Sequence, residues 1–224
     1  MDTSHIDLLG LDRVLRRGTG EVIEAREGAL FIRDSVSGAY FLGCSDGKAG
    51  AAVLDAHLPG DIRLLMVSDA ALGREVFARY GFSPLLECRQ AAYYGPLPET
   101  PTALEVRPAR ESDLPLLLRA YTLVSPEELA LIVHRKKLLL GYAGGQLVGF
   151  VGEHLEGSMG LLYVFPAHRR KGYASALERA MIAQTMREGF VPFGQVEKSN
   201  LASLALQKKL GMTVSDDLIC WMWK

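Results

Sequence analysis

Tyr163-Val164-Phe165-Pro166-Ala167-His168-Arg169-Arg170-Lys171-Gly172-Tyr173-Ala174 is the stretch on which the reading of this chain turns. An apolar run ends at a proline, a short polar turn follows, and a helix begins. In the run from Ser158 to Phe165, Met159, Leu161, Tyr163 and Phe165 alternate onto one face, with Gly160, Leu162 and Val164 on the other. Both faces are largely apolar, which predicts a central strand covered on both sides. Lys171 to Glu188 reads as a helix, with Ala174, Leu177 and Met181 on one face and Gly189 as its stop. The turn between them exposes backbone N–H groups that have no helical partner. They stand at the positive end of the helix dipole, a natural place for a pyrophosphate. Gly172 leaves the backbone open to a phosphate, Ala174 keeps the next position small, and Arg169, Arg170 and Lys171 add positive charge.

Working outward, Gly95-Pro96-Leu97-Pro98-Glu99-Thr100-Pro101 sustains neither helix nor central strand. It predicts a linker over residues 96–103, between an N-terminal part, 1–95, and a C-terminal part, 104–224. After it come a short strand, Leu104 to Pro108, and a helix capped by Ser112 or Asp113. A second helix starts at Ser125-Pro126-Glu127-Glu128. The runs Leu138 to Tyr142 and Leu147 to Val151 flank Gly144-Gly145 and predict a hairpin. Phe190 to Val196 reads as a strand, Asn200 to Leu210 as a helix stopped by Gly211, and Leu218 to Trp223 as a last strand.

The N-terminal part echoes that ending. A strand, Ile62 to Val67, precedes Ser68-Asp69, a helix closing on Tyr80-Gly81-Phe82, and a strand from Leu85 to Tyr94. The shared order predicts an internal duplication. The fold class expected is α/β with a mixed sheet.

Arg169-x-x-Gly172-x-Ala174 after a buried strand resembles the acetyl-CoA signature of the GNAT N-acetyltransferase superfamily. Asn200-Leu201-Ala202-Ser203-Leu204-Ala205-Leu206-Gln207-Lys208-Lys209-Leu210-Gly211-Met212 resembles that family's second motif. The resemblance runs from about residue 104 to the end. It looks closest to the glycine N-acyltransferase-like and related bacterial branch, whose members carry two GNAT-like halves, only the second binding CoA. Nothing before Gly81 matches Arg-x-x-Gly-x-Ala. The resemblance implies a degenerate GNAT-like half over 1–95 and an acetyl-CoA-binding domain over 104–224. It implies Leu162 and Val164 as backbone partners of the pantetheine. It further implies CoA contacts at Arg169, Arg170, Lys171, Gly172, Tyr173, Ala174, Ser175, Asn200, Ser203 and Gln207. Acetyl-CoA would be the co-substrate, and the acceptor a primary amine of a small molecule or amino acid.

Two positions depart from the family pattern. Gln207 stands where a tyrosine usually protonates the leaving thiolate, and an amide is no acid. Ser158 stands where many members carry a basic glutamate, eleven residues before Arg169. A base is needed because an alkyl amine, with a pKa near 10.4, is mostly protonated at neutral pH and cannot attack a thioester. Glu156, two residues before Ser158 and on the same face of a strand, is the expected base, with Ser158 beside it. Glu153 and His154 are further candidates. A non-catalytic acyl-CoA sensor is the alternative.

The 224 residues carry 49% apolar and 23% charged side chains and a formal net charge of −1. That balance argues against nucleic acid held by phosphate neutralisation. No apolar run reaches the roughly 18 residues of a membrane span, and the first residues do not form a secretory signal. Cys44, Cys88 and Cys220 fit neither a disulfide framework nor a zinc site. The expectation is a cytoplasmic monomer or homodimer with buried thiols and no metal.

Overall fold

A computed structural model describes residues 2–58, 60–99 and 104–224. Part of the expected linker, residues 100–103, thus lies outside the described residues. Contacts divide the chain into two compact units. The first takes residues 1–92, 195–208 and 213–224, and the second takes 93–194 and 209–212. The chain crosses between them at Ala92/Tyr93, just before the proline-rich segment, but its C-terminal segments return to the first unit.

In the first unit the chain runs α1 (Leu9–Arg16), β1 (Gly20–Arg26), β2 (Ala29–Asp34), β3 (Tyr40–Cys44), α2 (Gly47–His57), β4 (Leu64–Val67), α3 (Ala70–Tyr80) and β5 (Leu85–Ala92). The second unit holds β6 (Glu105–Pro108), α4 (Leu114–Ala120), α5 (Pro126–His134), β7 (Leu138–Ala143), β8 (Gln146–Glu153), β9 (Met159–Val164) and α6 (Tyr173–Arg187). Then follow β10 (Phe193–Glu197), α7 (Leu201–Lys209), β11 (Thr213–Val214) and β12 (Ile219–Trp223).

The first unit is a mixed sheet in the order β1-β2-β3-β4-β12-β5, with β11 on β5. The last strand is threaded between two earlier ones: Trp221 pairs with Met66 of β4 and with Leu86 of β5. Ile219 to Met222 are buried in succession, the pattern of a strand with neighbours on both edges and cover on both faces. One face packs Phe31, Leu42, Leu65 and Met222 against Leu54 of α2 and Val76 of α3. The other packs Ile32, Phe41, Met66 and Trp221 against Leu11 and Val14 of α1.

The second unit is an antiparallel sheet, β6-β7-β8-β9, with Gly194 of β10 parallel to Met159 of β9. The Gly144-Gly145 turn joins β7 to β8 with both glycines at positive φ, as a two-residue hairpin of this hand requires. Leu117 of α4 and Leu129, Ile132 and Val133 of α5 bury one face against Leu138, Leu140, Phe150 and Leu161. α6 packs on β7, β8 and β9. Ser125 caps α5, its Oγ accepting from Glu128 N at 3.1 Å. Asp113 does not cap α4: its carboxylate accepts from Arg110 N at 2.8 Å and pairs with Arg107.

Two details of β9 correct the expected strand. Phe150 faces Tyr163 and Gly152 faces Gly160, so two steps along β8 match three along β9. The extra residue is a bulge, with Leu161 at φ +50°. And β9 is not covered on both sides: Met159 and Leu161 are buried, whereas Leu162, Tyr163 and Val164 are only part-buried. β10 registers with β9 at the single pair Gly194–Met159, which leaves the edge from Leu162 to Val164 without a ladder partner there among the described residues.

Candidate active site

The helix start read from the sequence is formed in the second unit. α6 begins at Tyr173, and its N-cap, Gly172, is left-handed at φ 83°, ψ −2°. No side chain caps this end. The first helical bond runs from Ala176 N to Gly172 O, 3.2 Å. The N–H groups of Tyr173, Ala174 and Ser175 precede it and find no carbonyl within the helix. A Cβ at Gly172 would meet no atom within 4 Å, so the space in front of these donors is open. Glycine is called for here by the positive φ rather than by crowding.

Leu162, Tyr163 and Val164 line a groove with Gly172, Tyr173 and Ala174. Its volume, about 410 Å³, lies within the range of small-molecule sites. Arg169 and Arg170 line it too. Arg169 folds back on the strand, Nε donating to Val164 O at 3.0 Å with the guanidinium 5.9 Å from the Tyr163 ring centroid. It braces the turn instead of reaching over the helix start. Lys171 is exposed. Asn200, Ser203 and Gln207 lie in the first unit. There Asn200 caps α7, its Oδ1 accepting from Ser203 N at 3.1 Å, and Gln207 is buried.

The tight turn between β8 and β9 gathers the acid–base candidates. Glu156 and Ser158 are both buried, and the Ser158 hydroxyl donates to Glu156 Oε1. Glu153 is turned elsewhere: Oε1 accepts from Thr185 of α6 at 2.6 Å and Oε2 lies 3.1 Å from Lys137 Nζ. It ties the sheet to α6. His154 lies with its ring over Gly160 of β9, and its Nδ1 is 3.6 Å from Glu128 of α5. Burial pulls this imidazole down, but the nearby Glu128 carboxylate and the charge of Glu156 outweigh it, so the pKa lies above the usual histidine value. Glu128 escapes sequence reading as a site residue because an acid in the first turn of a helix is already explained by the dipole.

The corresponding helix start of the first unit is already capped by a carboxylate. Asp69 caps α3, accepting from Ala71 N at 2.8 Å and Leu72 N at 3.0 Å. The cavity beside it, about 800 Å³, is lined by five aspartates, Asp2, Asp7, Asp69, Asp216 and Asp217, against Arg74 and His5, a balance of charge that disfavours phosphate.

Comparison with curated proteins gives no match. Among solved structures, a GCN5-related N-acetyltransferase from Kribbella flavida is similar at TM-score 0.61 and 12% identity, over 100% of this chain and 95% of that one. A GNAT-family protein from Novosphingobium aromaticivorans is similar at 0.60 and 18%, over 96% and 98%. A Drosophila protein reaches 0.65 and 19%, over 88% of this chain and 73% of its own. At these identities the likeness is one of fold. The sequence profile described as Acetyltransferase (GNAT) family matches residues 95–212, taking in β9, the loop and α6, and by that match over more than half its length this chain belongs to the GNAT acetyltransferase family.

Proposed function

We propose that this protein is an acyl-CoA-dependent N-acyltransferase, moving an acetyl group from acetyl-CoA to a primary amine of a small molecule or amino acid by direct attack on the thioester. The observation that carries this reading is the uncapped start of α6 with left-handed Gly172 before it and the half-open edge of β9 beside it. Free amides at a helix N-terminus suit a pyrophosphate. The edge at Leu162 and Val164, which has no neighbouring strand among the described residues, suits the amide groups of a pantetheine arm, which would add to the sheet as a strand does. Arg169, Arg170, Lys171, Tyr173, Ala174 and Ser175 complete the loop; further CoA contacts at Asn200, Ser203 and Gln207 of the first unit are proposed on family resemblance alone.

Glu156, held by Ser158, is the proposed base. Gln207 provides no proton, so the leaving thiolate takes one from solvent or from the amine that displaces it. The repeated order of strand, helix and strand, with helices stopped by left-handed Gly81 and Gly211, supports a tandem GNAT-like chain of the glycine N-acyltransferase-like kind. Asp69 on the first helix start supports CoA binding in the second unit only. Buried thiols at Cys88 and Cys220 support a cytoplasmic protein, and a monomer or homodimer is proposed. Among the described residues no helix is long and apolar enough to cross a membrane.

The test is time-dependent release of free CoA from acetyl-CoA across a panel of amino acids, polyamines and peptides, with the N-acetyl product identified by mass. Glu156→Gln lowers kcat/KM at neutral pH by about 10²–10⁴-fold and leaves acetyl-CoA affinity unchanged. A variant within about threefold of the parent at every pH clears Glu156 of the role. Tight acetyl-CoA binding with no turnover on any amine points instead to a non-catalytic acyl-CoA sensor, the reading that Gln207 in place of tyrosine favours.

A further inference from the structure

Acetyl transfer from a thioester to an ammonium releases one proton for each turnover. The nitrogen gives up two protons: one before it attacks, and one as the C–S bond breaks and the thiolate sulfur is protonated. If Glu156 takes the first, it must lose it again before the next amine arrives. Glu156 is badly placed to do this alone. It is 9% exposed, and one carboxylate oxygen is occupied by the Ser158 hydroxyl.

His154 stands in the same turn with the properties that Glu156 lacks. Its side chain is about one-third exposed, at 32%. The turn is held by His154 N donating to Ser158 O at 2.8 Å and Gly157 N to His154 O at 2.9 Å, so ring and carboxylate share one rigid support. The ring lies over Gly160, on the reacting strand two residues before Leu162. Nδ1 faces Glu128, reaching in from α5. The charged groups acting on the ring are Glu128 from α5 and Glu156 from the turn, both negative. β9 contributes Gly160, which has no charge.

We propose that His154, held by Glu128, is the proton exit of the acetyl-transfer site: it receives the proton that Glu156 takes from the amine and delivers it to solvent. The inference rests on the acetyltransferase reading above. The proton passes from the ammonium to the Glu156 carboxylate, then to the imidazole, then to water or buffer, and nothing is oxidised or reduced. A histidine is the side chain that exchanges protons in both directions near neutral pH. The two carboxylates raise its affinity enough to accept a proton, and its exposure lets it release one. Glu128 is a positioning residue, because it acts on the ring and not on substrate.

Two measurements test this. The first needs no acceptor: the His154 imidazole is titrated by NMR in the parent and in Glu128→Gln. Its midpoint is expected above the ordinary value near 6.5 in the parent and lower in the variant. An ordinary midpoint, or one unmoved by Glu128→Gln, overturns the proposal. The second is chemical rescue, with acetyl-CoA and whichever primary amine of the panel the parent turns over. His154→Ala lowers kcat by about 10²-fold, leaves the KM for acetyl-CoA unchanged, and regains rate as imidazole is added to the buffer. Glu156→Gln shows no such rescue. A His154→Ala variant as fast as the parent, or slow and insensitive to imidazole, overturns the relay while leaving the acetyltransferase reading standing. A parent that turns over no amine overturns that reading, and the relay with it.

Discussion

The imidazole of His154 occupies the space that a side chain at Gly160 would need: a Cβ there would stand 2.6 Å from Nε2 and 2.8 Å from Cδ2. Contact that close forces something to move, and the ring, at the end of its side chain, moves more easily than the strand. Gly160→Ala is therefore expected to leave the fold nearly as stable while displacing His154 from β9 and from Glu128. The measurement is the His154 NMR midpoint beside the thermal melt. A melt like the parent's together with a midpoint shifted toward the ordinary histidine value is the expected pair. An unshifted midpoint would mean that the ring is not held by this contact.

Gly172 carries two burdens. Its φ of +83° costs an L-residue about 1–2 kcal/mol, whatever space is free. In a chain of this size that is a Tm lower by about 2–8 °C for either Gly172→Ala or Gly172→Glu. The two variants part when ligand is added. Acetyl-CoA at 100 times its Kd stabilises the parent by about 2.7 kcal/mol, roughly a 5–11 °C rise. The carboxylate introduced by Gly172→Glu would set a negative charge against the phosphates and abolish the rise, whereas the alanine variant keeps part of it. Equal rises in the parent and in Gly172→Glu would place the phosphate site elsewhere.

The capped helix start of the first unit makes a matching prediction. Calorimetric titration with acetyl-CoA gives one site per chain. Asp69→Ala removes the cap that accepts from Ala71 N and Leu72 N and costs about 0.5–2 kcal/mol. The stoichiometry stays at one, because the neighbouring aspartates still disfavour phosphate. Two sites in the parent would show that the first unit binds CoA as well.

What the sequence discloses here follows from which interactions are local. The strand, turn and helix around Gly172 are short-range features, and they form within two residues of where the pattern puts them. The same holds for the Gly144-Gly145 hairpin and the Ser125 cap. The threading of β12 between β4 and β5 is not legible, because a buried apolar strand carries no mark of which edges it joins. The bulge at Leu161 is hidden too: glycines stand beside it at Gly160 and across from it at Gly152, yet it is the leucine that takes the positive φ. Glu128 and His154 are 26 residues apart and meet only because α5 packs back over the sheet. The partners of Arg169 and Glu153 likewise depend on side-chain direction, which no spacing rule supplies.

Asp113 illustrates the same point and yields a prediction with a pH signature. Sequence reading makes it one of two candidate helix caps, with Ser112, but its carboxylate holds β6 and the turn after it. Arg107 Nη1 donates to Oδ2 at 2.8 Å, Nη2 to Oδ1 at 3.0 Å, and Arg110 N to Oδ2 at 2.8 Å. Arg107 also donates to the Tyr142 hydroxyl at 2.7 Å, which ties the cluster to β7. A forked guanidinium–carboxylate pair is among the stronger polar contacts. The Arg107 hydrogen bonds, joined by the Arg110 amide and the charges of both arginines, hold the Asp113 carboxyl below its usual range against a smaller desolvation effect. A carboxyl whose pKa is lowered by folding adds stability at pH values above its unfolded pKa, and loses that contribution as pH falls through the folded value. Asp113→Asn keeps the shape and removes the charge, and is expected to cost about 1–3 kcal/mol at pH 7. Urea melts of parent and variant at pH 7 and at pH 3 measure the difference. The gap between the two proteins is expected to shrink at pH 3, below the ordinary carboxylate value, where the unfolded chain takes up a proton that the folded carboxyl resists. A gap that is the same at both values would mean that the ionised pair with Arg107 contributes nothing beyond the hydrogen bonds an amide can make.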